Sequence, residues 1–502
     1  VSDSGQQSPT TATDAAGGLS RRGFISLSAA TGLGIVLVGN VGSIFGADPA
    51  LATPGHGAVG YGPLIPDPAG ILSLPAGFSY KIVAETGVTR LESGEPTPAD
   101  PDGTANFPRR PNGGSVLINN HEVGGGEENP VPPITEFTYD PAAGGGTTNI
   151  EVDGQGNRVR EYVSLAGTHN NCAGGKTPWD TWLTCEETEA VVGDEGYFGP
   201  LTQRHGYVFE VDPYDQSLNM APKPIKALGR FAHEAVVVDP DTYELYLTED
   251  ASDPNGLLYR YTPPAEVLPL GKGTLKQLGD TDGTLEALRA TDRGVHVSDL
   301  SVATEIGTRY RVHWVTVPDR DAAEESTRSQ TYDQPITRSH KLEGMWWDEE
   351  EGGAYITASF ARNEDGSVLS HDGQVWFLNP RRETIELRLR FAYTPTDQDT
   401  DPDGPDNITV SPFGGVMVAE DGEGAQHLVG ATDDGKAFFF ARNETIAQSE
   451  FTGPNFSHDK KFLFANIQGD GSAGEGAAGP NEGSDPSPGY VFAITGPFRK
   501  QR

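Results

Sequence analysis

The chain has 502 residues, with 72 acidic against 36 basic side chains, a formal charge of −36 at neutral pH. Such a surface repels nucleic-acid phosphates and anionic membranes, so no nucleic-acid partner is expected, and it attracts divalent cations. With 64 glycines, 38 prolines and few long amphipathic runs, the composition points to many turns and short strands, an all-β chain.

The first element reads as a targeting segment. In "SRRGFISLSAATGLGIVLVGN" the pair Arg21 and Arg22 precedes Phe24 and a weakly apolar run, the pattern of a twin-arginine export signal, and "ALA" at 50–52 offers small residues for cleavage. A membrane anchor is the alternative, but Gly, Ser and Asn40 interrupt the run, and no later stretch is apolar enough to span a bilayer. Residues 1–52 are therefore expected to be a leader read by the twin-arginine machinery. Residues 53–502 are expected to be one monomeric, exported domain, periplasmic or extracellular and possessing no stable membrane span after processing.

Along that domain one unit recurs. The first copy is "NFPRRPNGGSVLINNHE", ending at Asn120, His121 and Glu122. Next come "NNCAGGKTPWDTWLTCEE", "EAVVVDPDTYELYLTED", "EGMWWDEEEGGAYITAS", a strand ending in "VMVAED" and one ending in "LFANIQ", each an apolar hairpin closing on polar residues. A glycine and a further strand follow at "GYVFEVDP", "GLLYRYTP", "GQVWFLNP", "GKAFFFAR" and "GYVFAITG". Units of roughly fifty residues made of short strands are the sequence signature of a β-propeller, here with six blades and long loop insertions. Residues 265–335 read as an insertion or as outer strands of their blade. The polar Gly-, Pro- and Asp-rich runs around 90–105, 140–157, 397–406 and 469–488 read as surface loops.

Aligning the hairpins by their turns exposes a register. First strands begin at Cys172, Glu234, Glu343 and Asn407, and second strands end at Glu186–Glu187, Glu249–Asp250, Ser359 and Glu420–Asp421. The start of one antiparallel strand neighbours the end of the next. If these are the innermost strands, Cys172, Glu186, Glu187, Glu234, Glu249, Asp250, Glu343, Asn407 and Glu420 converge on one rim of the central channel. Like charges gathered there cost several kcal/mol each unless cations neutralise them. Carboxylate and amide oxygens suit a hard ion such as calcium, whereas a thiolate suits iron or zinc. Two readings of the cysteines stay open: a Cys172–Cys185 disulfide, which export favours, or ligation by Cys172, which its register with Glu234 and Glu343 favours. No HExxH, zinc-type CxxC, P-loop or GxSxG pattern occurs. Trp346, Trp347 and Trp376 read as blade packing.

At these residues the sequence resembles the PhoX-type alkaline phosphatases of bacteria. The likeness is carried by the twin-arginine leader, "INNHE", "NNCAGGKTPWDTWLTCEE", "RFAHEAVVVDP", "LEGMWWD", "PDNITVSPFGG" and "GPNFSHDKKFLFANIQ", in the family's order. The resemblance implies a six-bladed propeller with a mixed ferric iron and calcium cluster in the channel mouth, hydrolysing phosphate monoesters outside the cytoplasm. It implies that Cys172 is an iron-ligating thiolate. Glu186 or Glu187, Glu234, Glu249 or Asp250, and Glu343 become metal carboxylates, with Asn407 and Glu420 as further candidates. Where some members place an arginine two residues before the "LEG" glutamate, this chain has Lys341, a point charge and not a bidentate fork. Lys341, His121 and Asn120 are expected to position the phosphate oxygens. Two other classes fit a carboxylate-rimmed propeller: a calcium-dependent lactonase or esterase, which gives Cys172 no role, and a non-catalytic calcium-stabilised binding propeller.

Overall fold

The computed structural model describes residues 59–125, 127–360, 373–391, 402–422, 424–445, 449–469 and 488–501. The expected leader at 1–52 and, apart from its two end residues, the expected loop at 469–488 lie outside them. Among the described residues the regular structure is strand, with only short 3₁₀ turns, and no helix is long and apolar enough to cross a membrane.

Six strands, Pro101–Pro108, Asn171–Lys176, His233–Val238, Leu342–Asp348, Pro405–Val410 and Phe451–Phe456, pack side by side in a closed ring, each against the next and the last against the first. Each is the inner strand of a blade, numbered 1 to 6 in this order, and the second strands follow by antiparallel pairing. These are Ser115–His121, Trp182–Glu186, Leu245–Glu249, Gly353–Ala358, Val416–Glu420 and Phe462–Ile467. Blade 6 takes its outermost strand from the other end of the chain, because Ser79–Glu85 pairs with Tyr490–Thr495 and closes the ring. Blades 3 and 4 share one hydrogen-bonded sheet: Arg309–Thr316 pairs with Thr284–Asp292 on one side and Thr384–Arg390 on the other. The 265–335 segment thus contributes an outer strand and this bridge.

Burial explains the strand sequences. Second strands lie between neighbouring blades, and Leu245–Glu249 is buried throughout, so it cannot alternate. Outer strands face water on one side, and Thr384–Arg390 alternates accordingly, with Ile385, Leu387 and Leu389 inside and Glu386, Arg388 and Arg390 less buried. The core is divided among the blade interfaces. One such cluster joins Leu183, Val208, Val236, Leu247 and Tyr259, and each buried leucine there contributes about 1.5–3 kcal/mol. Cys185 belongs to this cluster and packs as a small hydrophobe. Trp376 is fully buried in another, with Trp347 packed against it, and Trp346 packs against a third.

Three segments differ from the expected loops. Pro101–Pro108, Gly145–Val152 and Pro405–Val410 are strands. Their polar composition misleads because the inner strands face a polar axis, where Asp102, Thr104 and Asn106 are buried. "GKAFFFAR" is the fourth strand of blade 5, Ala437–Asn443, and the third is His427–Ala431. Both cysteines are free, so the disulfide reading does not hold.

Candidate metal centre

All six blades carry a β-bulge near the start of the inner strand. In blade 1 the pairing steps from Pro101↔His121 to Thr104↔Asn119, so that Asp102 and Gly103 together face Asn120. The same extra residue appears after Asn171, His233, Leu342 and Pro405, and one position later, after Thr452, in blade 6. A bulge kinks the strand and re-aims a side chain. Here it is repeated around the axis, and the second residue of the six inner strands is Asp102, Cys172, Glu234, Glu343, Asp406 or Thr452.

The bulges are stitched from blade to blade. Asn120 Nδ2 donates to the carbonyls of Cys172 and Ala173, both at 2.7 Å. Thr248 donates to Glu343 O at 2.8 Å, Thr452 to Pro101 O at 2.7 Å, and Thr357 to Asp406 O. The backbones approach so closely that a Cβ at Gly103 would lie 2.6 Å from Ala173 Cα, and one at Gly344 2.8 Å from Asp406 O. The ring of bulges is therefore a rigid collar.

A second set of polar groups comes from the residue just beyond each second strand: Glu122, Glu187, Asp250, Ser359, Asp421 and Gln468. Together with Glu450, these two sets form four overlapping groups whose ligand atoms lie within 4.8 Å of one another: Asp102–Glu122–Cys172, Cys172–Glu187–Glu234, Glu234–Glu343–Asp406 and Asp406–Asp421–Glu450. Cys172, Glu234 and Asp406 each belong to two groups. That span matches ligands on opposite sides of one cation, since Ca–O bonds are roughly 2.3–2.6 Å.

Electrostatics make the same demand. Burial, and then the charge of neighbours, pushes seven carboxyls of this funnel upward: Glu343 to about 7, Glu122 to about 8, and Asp102, Glu187, Glu234, Asp406 and Glu450 well above the usual range. The Cys172 thiol is pushed up by burial and by Asp102 and Glu234. Glu234 is fully buried and neither carboxylate oxygen has a partner; Asp102 Oδ1 lacks one too. Native interiors rarely leave such atoms unpaired. Among the described residues, the Lys341 ammonium faces this charge. Lys341 Nζ lies 2.6 Å from Asp250 and 3.3 Å from Glu343, and although burial opposes its charge, Glu343, Asp250 and Glu187 hold it protonated. Carboxylate oxygens with one sulfur, several lacking any proton donor, fit metal cations.

The structure brings together Cys172, Glu187, Glu234, Asp250 and Glu343 of the expected residues, with Lys341 beside them. It sends others elsewhere, and the parity of the strands is the reason: neighbours along a strand point to opposite sides. Glu186 turns away from the funnel and accepts from the backbone N–H groups of His169, Gly206 and Tyr207 and from His205 Nδ1 at 2.6 Å. Glu249 binds Leu257 N, Tyr259 OH and Arg328 at 2.9 Å. Glu420 accepts from Asp403 N and faces His427 at 2.9 Å. Asn407 donates to Asp406 and accepts from Gly453 N, so it braces a funnel carboxylate. Nor do His121 and Asn120 reach out to a substrate. His121 is buried between Ala99 O and Thr148, its pKa lowered by burial, and the Asn120 amide is spent on the Cys172 backbone and on Trp182 and Thr184. Asp102, Glu122, Asp406, Asp421 and Glu450 enter instead. For Glu122 and Asp421 the signal was their place next to His121 and Glu420; for Asp102 and Asp406 it was masked by runs that resemble loops.

Comparison with known proteins bears on the fold and the family. Residues 59–471 match the family model described as "Alkaline phosphatase PhoX". Among solved structures, PhoX from Pseudomonas fluorescens in complex with vanadate, a transition state analogue, superposes with a TM-score of 0.63 at 19% identity, covering 85% of this chain and 96% of that one. A Xanthomonas campestris gluconolactonase aligns over 87% of this chain and 98% of its own at 13% identity, with a TM-score of only 0.34. No curated protein sequence matches. The propeller, its acid-lined funnel and the match over most of the chain lead to one assignment: this protein belongs to the PhoX alkaline phosphatase family, whose members are metal-dependent phosphatases.

Proposed function

We propose that the funnel binds iron and calcium together and hydrolyses phosphate monoesters, and that the protein works outside the cytoplasm after twin-arginine export. The observation that carries the metal reading is the run of four ligand groups joined through Cys172, Glu234 and Asp406, with Glu234 buried and unpaired. Cys172, beside Asp102, Glu122, Glu187 and Glu234, gives a softer donor set suited to iron, while the all-carboxylate groups around Asp406 suit calcium. When bound, such cations supply Lewis-acid charge to a phosphoryl group and acidify an attacking water.

The chain's own residues do the rest. Gln468 Nε2 donates to Asp102 at 3.0 Å and to Glu122 at 2.7 Å, which fixes the orientation of two carboxylates beside Cys172. An ammonium has three N–H donors. Lys341 donates to Asp250 and lies 3.3 Å from Glu343, so an N–H remains for a phosphate oxygen. Gly103, Ala173, Gly344 and Gly453 line a small cavity among the inner strands.

Protein exported with its own leader should contain iron and calcium and should release phosphate from p-nitrophenyl phosphate at alkaline pH. Chelation should abolish turnover and re-addition of the ions restore it. Full activity after exhaustive chelation would refute the reading, and turnover of a lactone but no phosphate ester would replace it.

A further inference from the structure

The four ligand groups account for every funnel carboxylate except one. Asp102, Glu122, Glu187, Glu234, Glu343, Asp406, Asp421 and Glu450 each belong to a group; Asp250 belongs to none. Asp250 instead holds Lys341 at 2.6 Å, and the same ammonium lies 3.3 Å from Glu343. Glu187 is close enough for its charge to act on the lysine. Three carboxylates thus surround a nitrogen where, by the pattern of the other groups, an ion would sit.

The backbone shows that this lysine is placed deliberately. The residue just before an inner strand adopts a left-handed conformation in four blades: Asp100 at φ 46°, Asn170 at 51°, Lys341 at 49° and Gly404 at 46°. Aspartate, asparagine and glycine are the residues that tolerate this region; lysine does so at a steric cost. Lys341 is held there by its N–H to Ala251 O at 3.3 Å and by Ser359 N donating to its carbonyl at 3.0 Å. From that turn its side chain runs to Asp250.

We infer that Lys341 is a built-in cation, taking the place of one metal ion between Asp250, Glu343 and Glu187. The inference rests on the reading of the funnel as a cation site and adds to it which positions metal fills. A lysine supplies a single fixed charge that no chelator removes, so it holds the Asp250 side of the rim together when the other positions are empty. It also sets the ion count one below what the carboxylates could hold.

The test counts ions, independent of turnover. Chelator-stripped wild type and variants are re-equilibrated with calcium alone and the bound ions measured by equilibrium dialysis and elemental analysis. Lys341→Met should bind one calcium per chain more than wild type, the double variant Lys341→Met/Asp250→Asn should return to the wild-type count, and Lys341→Arg should keep it. An unchanged count in Lys341→Met, or an extra ion that survives loss of Asp250, overturns the proposal while leaving the metal centre standing. If Lys341→Met fails to fold, Asp250→Asn alone decides: it should keep the wild-type count, and loss of an ion refutes the inference. Wild type that binds no ion would sink the metal reading itself, and this inference with it.

Discussion

Stripping the cations from the funnel should leave a protein whose stability falls as the pH rises. Glu343 sets the scale, because burial, then Asp250, pushes its carboxyl from the ordinary 4.5 to about 7 despite Lys341 and Ser359. Below 4.5 the group is protonated in folded and unfolded chains alike and costs nothing. Between 4.5 and 7 the unfolded chain releases a proton that the folded chain keeps, so the unfolded state gains; above 7 the loss is complete. At about 1.4 kcal/mol per pKa unit, Glu343 alone removes about 3 kcal/mol across that window. Glu122, pushed to about 8, acts in the same direction over a window that extends higher. The funnel carboxyls titrate together, so their costs do not add simply. Repulsion between the many surface acids has the same sign, but salt screens it and leaves the buried set untouched. Urea unfolding followed by circular dichroism at about pH 5 and about pH 8, in chelator with high salt, should therefore show a drop of at least about 3 kcal/mol. Excess calcium should cancel it. A flat or rising profile in chelator would refute the reasoning, as would an equal fall with calcium present.

Glu234→Gln should change the sign of its effect with conditions: by removing an unpaired buried carboxylate it raises the melting temperature in chelator, and by removing a shared ligand it lowers it in calcium. Cys172→Ser should keep the fold yet lose the near-ultraviolet thiolate-to-metal charge-transfer absorption of cobalt-loaded protein, whereas Cys185→Ser, inside a blade interface, should retain it. Glu249→Gln should cost about 1–3 kcal/mol in urea unfolding, because Arg328 loses one of its two carboxylate partners and keeps Glu189. Its ion count should be that of the wild type, which separates this neighbour of Asp250 from the funnel itself.

The blade repeat was legible because each second strand is an apolar run ending in polar residues, as in "WLTCEE" and "LYLTED". Cys172, Glu234 and Glu343 were legible as equivalent positions for the same reason. Which face each residue takes was not. A bulge adds one residue to the inner strand and reverses the alternation, so Asp406 and not Asn407 joins the ring, and nothing in "PDNITV" announces it. The same ambiguity of one position separates Glu187 from Glu186, Asp250 from Glu249 and Asp421 from Glu420. Asp102 was hidden differently: "PDGTANFP" has the composition of a loop because its strand faces polar groups on the axis and not a hydrophobic core. Asn120 shows a further limit, since a buried amide spent on the Cys172 and Ala173 carbonyls cannot be told from one aimed at a substrate until the neighbouring blade is in place.

Five bulges, those of blades 1 to 5, turn an acid or thiol toward what we propose is a common set of cations. Anomalous diffraction from crystals of the metal-loaded protein, recorded at the iron edge and at longer wavelength for calcium, tests this directly. The account predicts peaks within bonding distance of Cys172, Glu234 and Asp406 and none at the Lys341 nitrogen. Peaks confined to the outer surface, or a funnel without any, would contradict it.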